Sequence, residues 1–234
     1  MIPKGFSENL WSDRPIDRLA YAHDASMYRL VPKAVSRPEN ESDVISILQY
    51  ANDTNTPITF RAGGTSLSGQ SVSEGIIAEI IRGWQNHKII DNGCSIRLQP
   101  GVVGARANLY LSNYNRRIGP DPASINAARI GGIVSNNSSG MVCGVKYNTY
   151  HTLKNMRFIL ANGNTYDTSN KDDYGRFIND EMALSNGLLE SKKKINNSNH
   201  LLKKIKDKYL IKNTLGYSLN ALIEYDHPLD IFSH

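Results

Sequence analysis

Cysteine is scarce in this chain, which has only Cys94 and Cys143 in 234 residues. The two form no C-x-x-C pair, which argues against a disulfide framework or a zinc ribbon and fits a reducing cytoplasm. Long apolar runs are also missing, since the longest, residues 75–81, is interrupted by Glu79 and is far too short to cross a bilayer. The first eight residues contain no apolar core of a secretory signal. We therefore expect a cytoplasmic protein without a transmembrane segment.

Two familiar nucleotide-binding motifs are absent as well. The chain contains no G-x-G-x-x-G stretch, so a Rossmann cofactor site lacks its main sequence support. Residues 64–71 have the glycine spacing of a P-loop, but Gln70 stands where that loop needs its lysine. We therefore do not expect nucleoside triphosphate chemistry.

The histidines show no spacing that is typical of a metal site. None of them forms an H-x-x-x-H pair or a comparable pattern, so we expect no metal and interpret each as structural or exposed. The six are His23, His87, His151, His200, His227 and His234.

The positive charge of the chain is concentrated in one segment. Residues 191–212 contain eight lysines and one aspartate, whereas the net charge of the whole chain is +5. This segment has a single aromatic residue, Tyr209, and no arginine, whereas nucleic-acid domains combine lysine with arginine and stacking aromatics. We therefore interpret it as a solvated helix face and expect no nucleic-acid partner. A binder of nucleic acid or of an anionic surface remains an alternative function.

Two polar segments stand out. The first, the glycine loop (residues 61–70), follows an apolar strand at 57–60 and carries consecutive glycines with hydroxyl and amide side chains. Such a loop brings backbone amides close to an anion, most often a phosphate. The second polar segment (residues 119–140) begins with two prolines, and Ser124 is a candidate helix N-cap. Each segment alone is equally consistent with a surface loop, but together they could hold the two ends of a dinucleotide.

The hydrophobic pattern predicts a small α/β lobe. Apolar residues with helical spacing at 41–52 lie between strands at 33–36 and 57–60, and a further strand follows at 75–81. The helix is the crossover that a parallel strand pair needs.

The remainder of the chain predicts hairpins and helices. Asn-Gly pairs indicate hairpins over 87–99 and 152–167, with a helix at 102–114 between them. Residues 171–210 are helical in pattern, with a break at 196–199, and no period is clear after residue 213.

The two polar segments, in this order, resemble the FAD-binding domain of the vanillyl-alcohol oxidase/PCMH flavoprotein family. The similarity is greatest to the branch of D-lactate, glycolate and D-2-hydroxyglutarate dehydrogenases, and residues 21–28, 150–153 and 213–217 also match that branch. The resemblance implies an α+β fold of the PCMH-type FAD-binding kind, with a small α/β lobe packed on a second lobe of mixed or antiparallel sheet and helices. It divides the chain into an N-terminal segment (1–30), a first lobe (31–85) and a second lobe (86–234) with a lysine-rich helical insert (171–212).

The resemblance also implies cofactor-binding residues. The glycine loop would bind the FAD pyrophosphate through main-chain amides, and the second polar segment would line the flavin, ribityl and adenosine parts. These residues are Ala62, Gly63, Gly64, Thr65, Ser66, Pro120, Asp121, Ser124, Gly131, Gly132, Asn136, Ser139 and Gly140. Some relatives tether the flavin through a histidine in the first loop, but Thr65 occupies that position, so we expect non-covalent FAD.

In the intact relatives, a D-2-hydroxy acid would lose a proton to a base and its α-hydride to flavin N5. Those relatives continue past a segment like residues 229–234 into a Ser-Glu-Gly-Thr-Leu-Gly motif and a cap domain, which supplies the base, the metal ligands and the substrate-binding arginines. We therefore expect this chain to lack the cap domain, and the resemblance assigns the catalytic base to no residue of it. A flavin-binding module without catalysis is the alternative, and the resemblance leaves peripheral association with the inner membrane open.

Overall fold

The computed structural model describes residues 2–213 and 218–234. A four-stranded mixed sheet forms the first half, with strand order β1-β2-β4-β3. Strands β2 and β3 both pair in parallel with β4, and β1 pairs antiparallel with β2. The strands are β1 (Trp11–Ser12), β2 (Ala34–Ser36), β3 (Ile58–Arg61) and β4 (Ile76–Glu79). The parallel pairs end together at the start of the glycine loop.

A helix connects β2 to β3, as the pattern predicted. This helix, α2 (Glu41–Asp53), buries the apolar stripe Val44, Ile47, Leu48 and Ala51. Its N-cap is Asn40, whose side chain accepts the Asp43 N–H at 3.0 Å. A short helix, α1 (Pro15–Ala20), precedes β2. Trp11, Ala34, Ile47 and Ile76 form a buried cluster between α2 and the sheet.

Two hairpins follow the sheet. Strands β5 (His87–Ile90) and β6 (Ser95–Leu98) enclose a turn in which residues 91–93 all have positive φ. Helix α3 (Gly104–Leu111) comes next, and strands β7 (Arg157–Ile159) and β8 (Thr165–Asp167) form the second hairpin. The predicted strand at 152–160 is wrong at its beginning, because α5 (Thr149–Thr152) is helical and is capped by Asn148.

Helices make up the C-terminal part. The lysine-rich segment forms α6 (Lys171–Asp180), α7 (Met182–Asn196) and α8 (Asn199–Tyr209), and Ser198 caps α8 at the predicted break. Two short helices that the sequence pattern missed follow, α9 (Ala221–Glu224) and α10 (Pro228–Ser233). They pack against α7 and α8 through a buried cluster of Ile195, Ile205, Leu222 and Ile231.

Ionic contacts join the sheet half to the hairpins. Arg157 on β7 donates two hydrogen bonds of 2.7 Å to the Glu41 carboxylate at the start of α2. Asn52 near the end of the same helix donates to the Ala161 carbonyl. Both ends of α2 are therefore fixed to the β7–β8 hairpin.

Candidate functional site

The first part of the glycine loop, which follows β3, has backbone amides without a partner among the described residues. None of the N–H groups of residues 62–67 donates a hydrogen bond to a residue in the described ranges. The Gly64 carbonyl accepts the Ala25 N–H at 3.0 Å, so the N-terminal segment holds the loop through a carbonyl and leaves the donors available. Consecutive amides without partners make an anion-binding concavity.

The far end of the loop is fixed by its own side chains. The Ser66 hydroxyl accepts the N–H groups of Ser68 and Gln70 and donates to the Gln70 Oε1 at 3.0 Å. The Asp24 carboxylate accepts the Ser71 hydroxyl at 2.9 Å. Burial by itself raises the pKa of Asp24. The hydrogen bonds that Ser26 and Ser71 donate to the carboxylate lower this pKa by more, so it lies below the ordinary value. A charged Asp24 therefore ties the N-terminal segment to the loop.

A guanidinium group lies beside the loop. Arg61 Nη1 donates to the Tyr21 carbonyl at 3.2 Å, and its guanidinium lies 5.3 Å from the Tyr21 ring centre. A Cβ added to Gly64 would come within 2.7 Å of Arg61 Nη2. Arg61 forms no ion pair with a carboxylate in the described part of the chain, so its positive charge is available to an anion held by the loop.

Helix α4 (Ile130–Ser135) is the centre of the second polar segment. The predicted N-cap at Ser124 is wrong, because Arg129 occupies the N-cap position and Ser124 instead accepts the N–H groups of Ala127 and Ala128 in a preceding turn. Gly131 donates its N–H to the Pro100 carbonyl at 2.9 Å, whereas a Cβ on Gly132 would meet nothing within 4 Å. The start of α4 therefore has an open position at Gly132.

Asp121 organises the end of this segment. Its carboxylate accepts the N–H groups of Gly140, Val142 and Cys143 at 2.9, 3.3 and 3.2 Å. Burial raises the pKa of this carboxyl, but the hydrogen bonds from Cys143, Gly140 and Val142 outweigh it and hold the pKa below its usual range. The carboxylate therefore holds the backbone of residues 140–143, and Pro120 beside it is buried.

The two polar segments touch each other. Asn136 at the end of α4 donates from Nδ2 to the Gln70 Oε1 at 3.1 Å, so Gln70 connects both segments. A Cβ on Gly63 would lie 2.7 Å from the Ala127 carbonyl oxygen. At the end of the second polar segment, the Ser139 hydroxyl is buried and has no hydrogen-bond partner among the described residues. Gly63 and Asn136, two of the predicted residues, therefore lie where the two segments meet.

A cleft of ≈ 390 Å³ opens between the glycine loop and the turn before α4. This volume lies within the range of about 300–1,000 Å³ that is common for ligand pockets. Burial, followed by the hydrogen bond that its hydroxyl donates to Glu79 at 2.6 Å, raises the pKa of Tyr21 in the cleft wall. The lining residues are Ala20, Tyr21, Arg61, Ala62, Gly63, Glu79, Ile81, Val103, Asn126, Ala127 and Arg129.

This donor set fits a diphosphate. It consists of the amides of residues 62–67, which donate to no described residue, and the Arg61 guanidinium, which has no described carboxylate partner. In the second polar segment, the buried Ser139 hydroxyl also has no described partner, and buried polar atoms without partners are rare in native proteins. Amide donors and a neighbouring cation are the groups that bind phosphate oxygens most strongly.

Residues 32–169 match the family model described as FAD binding domain. The chain belongs to this family. The FAD-binding domain thus includes β2, both polar segments and the β7–β8 hairpin, and FAD is the cofactor of the family. The fold is the α+β arrangement that the sequence predicted.

The curated relatives of this FAD-binding domain are dehydrogenases and oxidase subunits that are much longer than the chain. It is 30% identical over 186 residues to D-2-hydroxyglutarate dehydrogenase of Haemophilus influenzae, covering 76% of the chain and 18% of that protein. It is also 30% identical over 183 residues to the glycolate oxidase subunit GlcD of Bacillus subtilis, covering 73% and 39%. The chain therefore spans less than half the length of these relatives.

Solved structures agree on the fold. 6-Hydroxy-D-nicotine oxidase from Arthrobacter nicotinovorans superposes with a TM-score of 0.60 at 18% identity, covering 68% of this chain and 35% of the oxidase. An alkyldihydroxyacetonephosphate synthase gives a TM-score of 0.58 at 19% identity, covering 70% and 34%. At these identities the likeness shows a shared fold.

Several residues of the site were not in the predicted set. Gln70 was noted only as a missing lysine, although its amide joins the two segments. Tyr21 and Glu79 meet across 58 positions of sequence, which no local pattern indicates. Residues 214–217, part of one matching segment, lie outside the described residues.

Residues 2–213 and 218–234 contain neither a membrane-spanning helix nor a cluster of metal ligands. No helix there is long and apolar enough to span a membrane. No three side chains of histidine, cysteine, aspartate or glutamate there come together as metal ligands.

Proposed function

We propose that this chain holds FAD non-covalently, with the diphosphate on the amides of residues 62–66. The observation that carries the proposal is the row of N–H groups in residues 62–67 that donate to no described residue. Each charge-assisted hydrogen bond contributes roughly 1.5–3 kcal/mol. Three or four such bonds support tight binding before the cost of ordering the ligand is deducted.

The second polar segment supplies the opposite wall. The open position at Gly132 lets a ligand approach the start of α4, and the Ser139 hydroxyl is available as a donor. Pro120, Asp121, Ser124, Gly131, Asn136 and Gly140 shape this wall, with Asp121 holding Gly140 in place. The Gln70 bridge sets the distance between the two walls.

Thr65 makes the attachment non-covalent, because its hydroxyl is a poor nucleophile compared with a histidine at the same place. Precipitating the flavin-loaded chain with acid tests this point. We expect the yellow colour in the supernatant. Colour that stays with the protein pellet would show a covalent bond.

We further propose that the intact protein oxidises a D-2-hydroxy acid of the lactate, glycolate or 2-hydroxyglutarate type. The support is the identity of about 30% to dehydrogenases and oxidases of such acids. Bound FAD supplies the hydride acceptor for this oxidation, and the contribution of this chain is to bind and orient it. The base and the substrate-binding arginines would lie in a cap domain outside these residues.

Adding a cap region to the chain tests the activity. The chain is fused to the cap region of the Bacillus subtilis relative, and dye reduction is measured with D-lactate, glycolate and D-2-hydroxyglutarate. We expect reduction with at least one acid by the fusion and feeble or no reduction by the chain alone. A fusion that binds FAD but reduces no dye with any of them would favour a binding module without catalysis.

A further inference from the structure

Arg129 lies at the N-cap position of α4, which does not suit an arginine. An N-cap side chain normally accepts a backbone N–H at the start of the helix, and a guanidinium has donors but no acceptor. The Arg129 side chain accordingly makes no capping hydrogen bond. A positive charge at the beginning of a helix is also unfavourable, because the backbone dipoles are positive at that end. Helix capping therefore does not explain the arginine at this position.

The fold satisfies the Arg129 guanidinium only in part. Nη1 donates to the Gly101 carbonyl at 2.5 Å, whereas the buried Nε has no hydrogen-bond partner among the described residues. The residue is partly buried, and it makes no ion pair with a described carboxylate. Removing a charge from water without a counter-charge is costly. A bound anion would offset this cost.

Arg129 and Arg61 line the same cleft of ≈ 390 Å³, whose wall also contains Ala62 and Gly63 of the glycine loop. The glycine loop and the turn before α4 approach closely here, since a Cβ on Gly63 would lie 2.7 Å from the carbonyl oxygen of Ala127, two residues before Arg129. Arg61 belongs to the glycine loop and Arg129 to the second polar segment. The cleft therefore has one guanidinium from each segment.

The charged side chains of the cleft lining leave an excess of positive charge. They are Arg61, Arg129 and Glu79. Glu79 accepts the Tyr21 hydroxyl at 2.6 Å and forms no described ion pair with either arginine. One carboxylate does not neutralise two guanidinium groups, so the lining attracts an anion.

We propose that Arg129 binds the FAD diphosphate from the wall of the second polar segment, so that Arg61 and Arg129 together face its two negative charges. This inference rests on the proposed FAD binding, and Arg129 is not among the cofactor-binding residues that the resemblance implies. Guanidinium groups form charge-assisted hydrogen bonds with phosphate oxygens, and these are stronger than the bonds of neutral donors. The amides of the glycine loop orient the diphosphate, and the two arginines supply the charge that amides lack.

Three variants of the full chain separate the charge of Arg129 from its hydrogen bond to Gly101. Arg129→Gln keeps an N–H donor for the Gly101 carbonyl but removes the charge, whereas Arg129→Lys keeps the charge. Arg106→Gln is the matched control, because Arg106 is exposed, lies outside the cleft lining and donates to the Gln85 Oε1 at 3.5 Å. Circular dichroism checks that each variant folds as the unchanged chain does.

The measurements are the dissociation constant for FAD at several salt concentrations, from flavin fluorescence, and the unfolding temperature without FAD. We expect Arg129→Gln to weaken FAD binding by about tenfold or more and to reduce its salt dependence. Arg129→Lys should keep more of the affinity, and Arg106→Gln should leave it unchanged. We expect the ligand-free unfolding temperature of Arg129→Gln to stay the same or rise, because the variant removes a partly buried charge that has no partner.

The outcomes distinguish this inference from the FAD proposal. An unchanged chain that binds no FAD would refute the FAD proposal and this inference with it. If the unchanged chain binds FAD and Arg129→Gln binds equally well, the inference alone is wrong. Equal weakening by Arg129→Gln and Arg129→Lys, with a lower ligand-free unfolding temperature in both, would also overturn it, since Arg129 would then act only by holding Gly101.

Discussion

The glycine loop and the second polar segment differ in where their backbone N–H groups donate. In the glycine loop, the N–H groups of residues 62–67 find no described partner. In the second segment, the Asp121 carboxylate accepts the N–H groups of Gly140, Val142 and Cys143. One segment is a row of donors open to a ligand, and the other is a backbone fixed by an internal carboxylate.

This difference indicates a division of roles. Free backbone donors bind charge directly but contribute no structure of their own, so the glycine loop depends on Ser66, Gln70 and Asp24 to hold its shape. The second segment is held by Asp121 and presents side chains such as Ser139 and Asn136. Changes at the residues that Asp121 holds should therefore reduce stability and binding together, whereas changes at positions that face the ligand should reduce binding alone.

The largest effect is expected for Asp121→Ala, which removes the acceptor of three backbone amides. We expect a loss of about 3 kcal/mol in the free energy of unfolding together with weak FAD binding. Chemical denaturation and a flavin titration measure both. A variant of normal stability would show that Asp121 does not hold residues 140–143.

The same carboxyl gives a pH dependence with a defined sign. Because its folded-state pKa lies below the ordinary value of 3.8, its stabilisation is present above that value and is lost as the pH falls through the lower folded-state pKa. The difference in stability between the unchanged chain and Asp121→Ala should therefore shrink in acid and stay constant at neutral pH. A difference that grows in acid would contradict this assignment.

A smaller effect is expected for Gly140→Ala. The added Cβ would lie 1.9 Å from the Asp121 carbonyl oxygen, so the backbone of the segment must shift. Overpacking of this kind costs about 1–3 kcal/mol, and we expect lower thermal stability with weaker FAD binding. Unchanged thermal stability and unchanged FAD affinity would show that Gly140 does not pack against Asp121.

Gly132→Ala is the matched change at an open position on the same segment. Its Cβ meets nothing within 4 Å, and alanine in a helix is roughly 0.5–1 kcal/mol more favourable than glycine. We expect unchanged or slightly raised stability and weaker FAD binding, because the methyl group occupies the space proposed for the ligand. Unchanged FAD affinity would show that the ligand does not lie against the start of α4.

The smallest effect is expected for Gln70→Ala, which removes the bridge between the segments. The lost hydrogen bonds to Ser66 and Asn136 are exposed, and each contributes about 0.5–1.5 kcal/mol. We expect FAD affinity to fall by less than about tenfold with little change in stability. A complete loss of FAD binding would contradict this bridging role and indicate that Gln70 contacts the ligand directly.

The regular elements were predictable because their signals are local. The apolar stripe of α2, the cap at Asn40 and the turn at residues 91–93 each lie within a few positions of sequence. The glycine loop was predictable for the same reason. Its place after a parallel strand follows from the crossover through α2.

The features that sequence patterns did not predict depend on contacts between residues that are distant in sequence. Ser124 has the chemistry of an N-cap, but its carbonyl closes an earlier turn and the helix begins at Ile130. Asp121 has the chemistry of a ligand, but its carboxylate is occupied by backbone amides about 20 positions later. Lys212 belongs to a run that looks solvated, and only the folded chain brings it to Gly140. Sequence patterns identify polar groups, whereas the fold decides which of them are already satisfied.

A titration of the purified chain with FAD tests the central claim, that the free amides of the glycine loop hold a flavin dinucleotide. The account predicts saturable binding with one FAD per chain, a shifted flavin absorption band and competition by ADP, which shares the diphosphate. No saturable binding, or binding that ADP does not weaken, would contradict it.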